Sequence, residues 1–211
     1  MTVRLYGADY SVYVRIARMT LAEKGVDHEL VPVDVFAPGG IPEWYRELHP
    51  FGRIPAFEHD GLRLFETAAI SRYVDDAFAG PALQPADAAR RAVMNQIVGL
   101  LDAYAYRAMV WDIYVERVSR PRAGHASDEA RIAAAIPVAR TCIDTLAALK
   151  APGPWLLGDQ LTLADLHAAP IFAYFIKAPE GASMLEAAPS MRDWWQAISA
   201  RESFVTTEST S

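Results

Sequence analysis

Ile54-Pro55-Ala56-Phe57-Glu58-His59-Asp60-Gly61-Leu62-Arg63-Leu64-Phe65-Glu66-Thr67 is the stretch that decides how this chain folds. Two short apolar runs, 54–58 and 62–65, flank His59-Asp60-Gly61, and Asp-Gly readily supplies the positive backbone angles of a tight hairpin. The runs are therefore expected as antiparallel neighbours. Thr67 follows at once as a candidate N-cap for a helix over 67–78, so the stretch reads strand, turn, strand, helix.

Working back toward the N-terminus, residues 3–6 form a short strand candidate. Over 11–24, Val14, Ala17, Arg18, Leu21 and Ala22 recur at helical spacing and stop at Gly25, a residue suited to the left-handed turn beyond a helix end. Residues 28–33 alternate as a second strand. Ala37-Pro38-Gly39-Gly40 and Pro42 then break regular structure and read as a loop. The order β-α-β-(α)-β-β-α follows for residues 1–78, a mixed α/β domain.

Working forward, strand signals vanish. A glycine and two prolines in 79–87 end the helix and mark a linker. Val93, Ile97, Leu100, Tyr104, Ala108, Trp111 and Val115 then step by three and four residues, which predicts one long amphipathic helix. A second helix over 128–149 carries Ile132, Ile136, Ala139, Ile143 and Leu146 on one face, with Pro137 expected to kink it. Thr162 and Asp165 form a capping box, with Leu161 and Leu166 as its hydrophobic staple. A last packing helix spans 189–201, and the Ser/Thr-rich tail over 206–211 is expected to fray. Residues 88–211 thus read as an all-helical domain.

Composition narrows the function. The chain has 211 residues, 52% of them apolar, enough to bury a core. Its formal net charge is −6, so it lacks the basic excess that holds a phosphate backbone, and nucleic acid is not an expected partner. Cys142 is the only cysteine, which rules out an internal disulfide and points to a reducing cytoplasm. The first ten residues carry Arg4 and Asp9 and lack an apolar signal core, and no run of about 18 apolar residues occurs, so no membrane span is expected. His28, His49, His59, His125 and His167 show no ligand spacing, and no metal is expected.

Four segments resemble the cytosolic glutathione S-transferase family, in the right order and across the linker. They are Leu5-Tyr6-Gly7 with Ser11 opening a helix; His49-Pro50-Phe51-Gly52-Arg53-Ile54-Pro55-Ala56-Phe57, of the family's Asn-Pro type; Leu64-Phe65-Glu66-Thr67-Ala68-Ala69-Ile70; and the stretch from Trp155 through Gly158-Asp159 to Asp165. They look most similar to serine-type, phi-like and theta-like members. The Ser-Ser-Cys-Ser motif of zeta-like members is missing, and no cysteine opens the first helix as in omega-like or beta-like members. The resemblance implies a thioredoxin-like glutathione-binding domain followed by an all-α bundle. It also implies a cytoplasmic homodimer that joins glutathione to small apolar electrophiles, with glutathione peroxidase activity on the side. A low-turnover binding protein and a dimerising interaction module are the alternatives on the same fold.

A cysteine thiol has a pKa of about 8.5, so such an enzyme must stabilise the thiolate of glutathione. From spacing alone Ser11 is either a plain N-cap or a hydroxyl donor beside a helix N-terminus. The resemblance favours the second, with the strand-end Tyr6 as the alternative donor. It further implies that the Ile54-Pro55 bond is cis and that Ile54 binds the cysteinyl backbone. Glu66 and Thr67 would take the γ-glutamyl end, and Arg53 would stand where members often carry a peptide-contacting Gln or Lys. Phi-like members hold the glycyl carboxylate with His and Lys ahead of the short second helix, where this chain has Ala37-Pro38-Gly39-Gly40-Ile41-Pro42. For the electrophile, the family's acceptor pocket implies Tyr10 and Phe36 together with Tyr106 and Val110 of the long helix.

Overall fold

The computed structural model describes residues 2–209, which divide into two units. The first takes the chain up to Ala82 together with the segment from Arg201 onward; the second runs from Leu83 to Ala200. In the first unit β1 (Val3–Gly7), α1 (Val12–Glu23), β2 (Glu29–Pro32), α2 (Glu43–Arg46), β3 (Ala56–His59), β4 (Leu62–Phe65) and α3 (Thr67–Ala77) follow one another. The sheet order is β2-β1-β3-β4, with β1 parallel to β2 and antiparallel to β3, and β3 antiparallel to β4. This is a thioredoxin-like mixed sheet. At the hairpin Asp60 and Gly61 take φ of 47° and 86°, the pair of positive angles that Asp-Gly favours.

Successive residues of β1 face opposite ways. Val3 and Leu5 join Phe57 beneath Val14, Ala17 and Leu21 of α1 and Ile70 and Val74 of α3. On the other face Tyr6 and Ala56 pack with Val33, Leu48 and Tyr45, the last of these on α2. Each such aliphatic side chain contributes about 1.5–3 kcal/mol when fully buried, so the two-faced packing is what holds the helices to the sheet.

The second unit is helical throughout. Asp87 caps α4 (Ala88–Leu100), its carboxylate accepting from the Arg90 amide at 2.8 Å. The helix continues without a break through a π-helical stretch, Leu101–Ser119, into α5 (Arg120–Arg122). The expected core row is corrected in part: Ile97 and Ala108 are buried, but Tyr104 is 62% exposed, and Leu101, Ala105, Met109 and Ile113 are buried in its place. Beyond Leu100 the i→i+5 turns change the angular step per residue, so a row extrapolated at 3.6 residues per turn leaves the buried face in places.

After α6 (Glu129–Leu149) and α7 (Leu163–Phe175) come α8 (Pro179–Glu186) and α9 (Pro189–Ser199). Asp165 is fully buried where α7 begins. Its carboxylate accepts from the amides of Leu156 (2.7 Å) and Thr162 (2.8 Å), the Thr162 hydroxyl (3.0 Å) and the Trp194 indole (2.9 Å). One side chain thereby joins the loop before α7, its cap and α9. Among the described residues α6 alone is long and apolar enough to cross a membrane by composition, yet Ile132, Ala139, Ile143 and Leu146 on it are buried within this unit.

Two more expectations need correction, and α8 has no counterpart in the sequence reading. Glu66 takes the N-cap position of α3, with Thr67 as its first helical residue. The tail is ordered in its described part: α10 (Glu202–Thr206) groups with the first unit, away from the helical domain to which 88–211 assigned it, and Thr207 is buried with its hydroxyl donating to the Ser203 carbonyl at 2.6 Å. The physical reason is a set of polar contacts to α1, set out below. Thr210 and Ser211 lie outside the described residues.

Candidate functional site

The strand register gathers the sequence motifs of the first unit. Tyr6 pairs with Ala56, Ala56 with Phe65, and Gly7 with Pro32. The next residues along each strand, Ala8 to Ser11, Val33 to Phe36, Arg53 to Pro55, and Glu66 with Thr67, therefore share one end of the sheet. Both α1 and α3 start at that end. Each presents first-turn N–H groups that have no intrahelical partner, so two anion-favouring helix N-termini lie side by side.

Ser11 caps α1 in an extended conformation, with φ −73° and ψ 127°. Its amide donates to the Ala8 carbonyl at 3.1 Å, and its own carbonyl accepts from the Arg15 amide at 2.9 Å. The hydroxyl oxygen accepts from the Val14 amide at 3.4 Å, a long bond that leaves the hydroxyl proton available for donation. The Ser11 turn approaches the proline loop because residue 7 is glycine. A Cβ there would come within 2.4 Å of the Val14 side chain and 3.3 Å of Ile54.

The Ile54-Pro55 bond is cis. Pro55 precedes β3, where its missing N–H is not called on by the ladder. Tyr45, a core residue of α2, donates its hydroxyl to the Arg53 carbonyl at 2.8 Å and so ties down the loop ahead of the proline. Burial pushes the Tyr45 phenol pKa far up and keeps it a donor. The Arg53 side chain is exposed. His49 is buried in the same loop, 4.9 Å from the Phe65 ring between centroids, with Nδ1 lacking a partner, and burial lowers its pKa.

Glu66 is exposed and holds φ 69° and ψ 110°, a region that non-glycine residues rarely enter. Its carbonyl accepts from the amides of Ala69 (2.9 Å) and Ile70 (3.0 Å), so the α3 ladder starts from a backbone that is itself turned outward. Buried Thr67 reaches the Tyr13 carbonyl at 3.5 Å and links the starts of α3 and α1.

Tyr6 stands apart from Ser11. It lies on the α2 face of the sheet, and its hydroxyl donates to Glu58 at 2.8 Å. Burial, followed by that carboxylate, pushes its phenol pKa up. Tyr10 is beside Ser11 in the chain; its hydroxyl donates to Asp34 at 2.6 Å, and its ring lies 6.0 Å from Phe36 at an interplanar angle of 28°. Asp34 also accepts from the Phe36 amide at 2.8 Å, and these bonds, Tyr10 first, lower its pKa. Phe36 is 65% exposed. Tyr106 and Val110 belong to the second unit, the former half-buried and the latter only 6% exposed.

Sequence reading singled out neither Asp34 nor Tyr45. An acidic residue closing the second strand beside a Tyr-Ser pair was the only trace of the first. Tyr45 lacked any trace, since it acts through a hydroxyl at the end of a core side chain. His49 was read within the proline motif but not as a buried neighbour of Phe65. Among the described residues no cluster of His, Cys, Asp or Glu is arranged to hold a metal.

A thioredoxin-like sheet with a cis proline, two helix N-termini at one edge and an all-helical second unit defines a glutathione-transferase type of protein. The comparisons agree. Residues 5–82 match the glutathione S-transferase N-terminal domain and residues 111–202 the C-terminal domain. A glutathione S-transferase of Hyoscyamus muticus is 32% identical over 203 residues, covering 95% of each chain. Among solved structures, glutathione S-transferase III in its apo form aligns with a TM-score of 0.85 at 32% identity, over 98% of this chain and 95% of that one. Glutathione S-transferase I from Mais, in complex with an atrazine glutathione conjugate, aligns at 0.84 and 25% identity, over 98% and 96%. The chain belongs to the glutathione S-transferase family.

Proposed function

We propose that this chain binds glutathione at the sheet end shared by Ser11, Ile54, Pro55, Glu66 and Thr67, and transfers its thiolate to small apolar electrophiles. The observation that carries the reading is the register that puts the starts of α1 and α3 at one edge. The thiolate sits at the first and the γ-glutamyl carboxylate at the second. Ser11 Oγ–H donates to the sulfur, a bond to a charge that contributes about 1.5–3 kcal/mol and lowers the thiol pKa by roughly one to two units. Ser11 is a donor and not a base: the thiol proton leaves to water.

Main-chain groups of Ile54 hold the cysteinyl unit, the Glu66 carboxylate takes the α-ammonium group, and Arg53 flanks the peptide. The sulfur then attacks an electrophilic carbon; the S–C bond forms as the leaving group departs with its electron pair. Proximity and thiolate stabilisation supply the rate enhancement. Tyr10 and Phe36 form an aromatic surface next to Ser11 for the electrophile. We assign the chain in addition a hydroperoxide-reducing side activity, a homodimeric state and a cytoplasmic location.

Retention on immobilised glutathione, followed by turnover of an aryl halide and of cumene hydroperoxide, tests the reading. Binding with turnover of the halide is the expected result. Binding without turnover would make the chain a ligand carrier, and absence of binding would reduce it to an interaction module on this fold.

A further inference from the structure

Arg201 reads as a helix end and 206–211 as a fraying tail, yet the segment from Arg201 to Thr207 contacts α1 at three positions. The Arg201 guanidinium grips the Glu23 carboxylate through Nε at 2.7 Å and Nη2 at 2.6 Å, and the Ser203 hydroxyl donates to the same carboxylate at 2.5 Å. Arg15, only 6% exposed, donates from Nη2 to the Phe204 carbonyl at 2.8 Å, and its guanidinium carbon lies 4.1 Å from the centre of the Phe204 ring. Arg18 donates to the Thr207 carbonyl at 3.2 Å.

The sheet side of α1, with Val14, Ala17 and Leu21, is buried in the core. The helix is therefore held on one side by apolar packing and elsewhere by a strap that returns from nearly the other end of the chain. Arg15 is also the residue whose amide closes the first helical turn on the Ser11 carbonyl. Most of the strap, from Ser203 onward, lies beyond the stretch that matches the C-terminal domain model.

We propose that residues 201–207 act as a strap that fixes the Ser11 turn, which makes Arg15 and Glu23 positioning residues for thiolate stabilisation. The inference rests on Ser11 as the thiolate donor. A hydrogen bond to sulfur is sensitive to placement, and displacement of a catalytic group by about 1 Å costs up to roughly a hundredfold in rate. Apolar packing resists compression well but allows sliding along its ridges. The directional contacts at residues 15, 18 and 23 oppose such a shift. Arg15 is suited to this: its guanidinium is held by the Phe204 carbonyl and ring face, while its amide closes the first turn on the Ser11 carbonyl.

The test uses the full chain as Arg15→Lys, as the charge-removing pair Glu23→Gln with Arg201→Gln, and as Phe204→Leu beside Phe204→Tyr. Ionisation of bound glutathione is followed by thiolate ultraviolet absorption across pH, together with kcat, the KM for glutathione, and Tm. The expected result is a rise in the thiol midpoint that leaves about three- to tenfold less thiolate near pH 6.5, with Phe204→Tyr alone keeping the parent titration. Variants that melt earlier but titrate and bind like the parent would overturn the proposal and leave the strap a structural contact.

Should Arg15→Lys fail to fold, the amide pair at the more exposed rim decides by the same titration. Ser11→Ala in the same assay separates the two ideas. If that variant leaves the midpoint unmoved, the Ser11 reading fails; if it alone raises the midpoint, only the strap does.

Discussion

Replacement of Ser11 by alanine removes two things that the structure allows to be weighed separately. As an N-cap, Ser11 accepts from Val14 at 3.4 Å, and loss of such a cap costs about 0.5–2 kcal/mol of stability. As the donor to sulfur proposed above, it would lower the thiol pKa from about 8.5 to roughly 6.5–7.5. Near pH 6.5 the parent then holds about 10–50% of bound glutathione as thiolate and the variant about 1%, a loss of roughly 10–50-fold in the reactive species. Near pH 8.5 the same two pKa values predict a loss of only about twofold.

The assay is kcat/KM for an aryl halide at saturating glutathione across this pH range, paired with direct thiolate absorption. Ser11→Gly serves as a control, because glycine costs only a few tenths of a kcal/mol at an N-cap yet lacks the hydroxyl. It should match alanine in rate and nearly match the parent in Tm. Tyr6→Phe should leave the thiol titration in place, since that hydroxyl is engaged by Glu58 on the other face of the sheet. A pH-independent loss in Ser11→Ala would refute the reasoning, as would full activity at low pH.

Three further outcomes concern the scaffold. Asp165→Asn keeps one acceptor oxygen but turns an NH2 group toward the Thr162 amide, so urea unfolding followed by tryptophan fluorescence should report a loss of about 1–3 kcal/mol, with Asp165→Ala worse. Lys24 donates to the Asp75 carboxylate (3.0 Å), the Asp75 carbonyl (3.1 Å) and the Pro81 carbonyl (3.0 Å), and Lys24→Met should destabilise by about 3–5 kcal/mol in the same assay. A loss no larger than that of an exposed lysine would contradict this account. Burial depresses the His49 pKa, so the unfolded chain binds the extra proton. Stability held above the ordinary histidine value of about 6.5 is therefore lost as pH falls toward the depressed one, and His49→Asn should flatten that part of the Tm profile.

Much of this architecture was legible because its signals are local. Asp60-Gly61 can scarcely be read as anything but a hairpin, and Thr162 with Asp165 announces a helix start within four residues. Ser11, Pro55 and Glu66 were singled out by motif, and the strand register places their segments at one edge. What escaped reading depends on distant partners. Residues 206–209 look frayable by composition, since the arginines that order the tail lie nearly two hundred positions earlier. Tyr45 looks like core until its hydroxyl is seen to reach the Arg53 carbonyl. Thr67 resembles a cap by type, but the backbone of Glu66 turns one residue sooner, and no propensity favours a glutamate there. The long helix misled for another reason: its wide turns break the 3.6-residue count, so that Leu101 and Ala105 are buried where Leu100 and Tyr104 were expected, while Ala108 stays buried.

That glutamate holds a tension between durability and use. A residue with φ near 69° pays a conformational penalty that glycine would escape, on the order of 1 kcal/mol. Glu66→Gly would therefore tend to raise the melting temperature while discarding the carboxylate assigned to the ammonium group of the tripeptide. Laboratory selection for heat tolerance alone would drift toward that exchange, and on the proposed role of Glu66 the protein that emerged would be sturdier and hold the tripeptide more weakly.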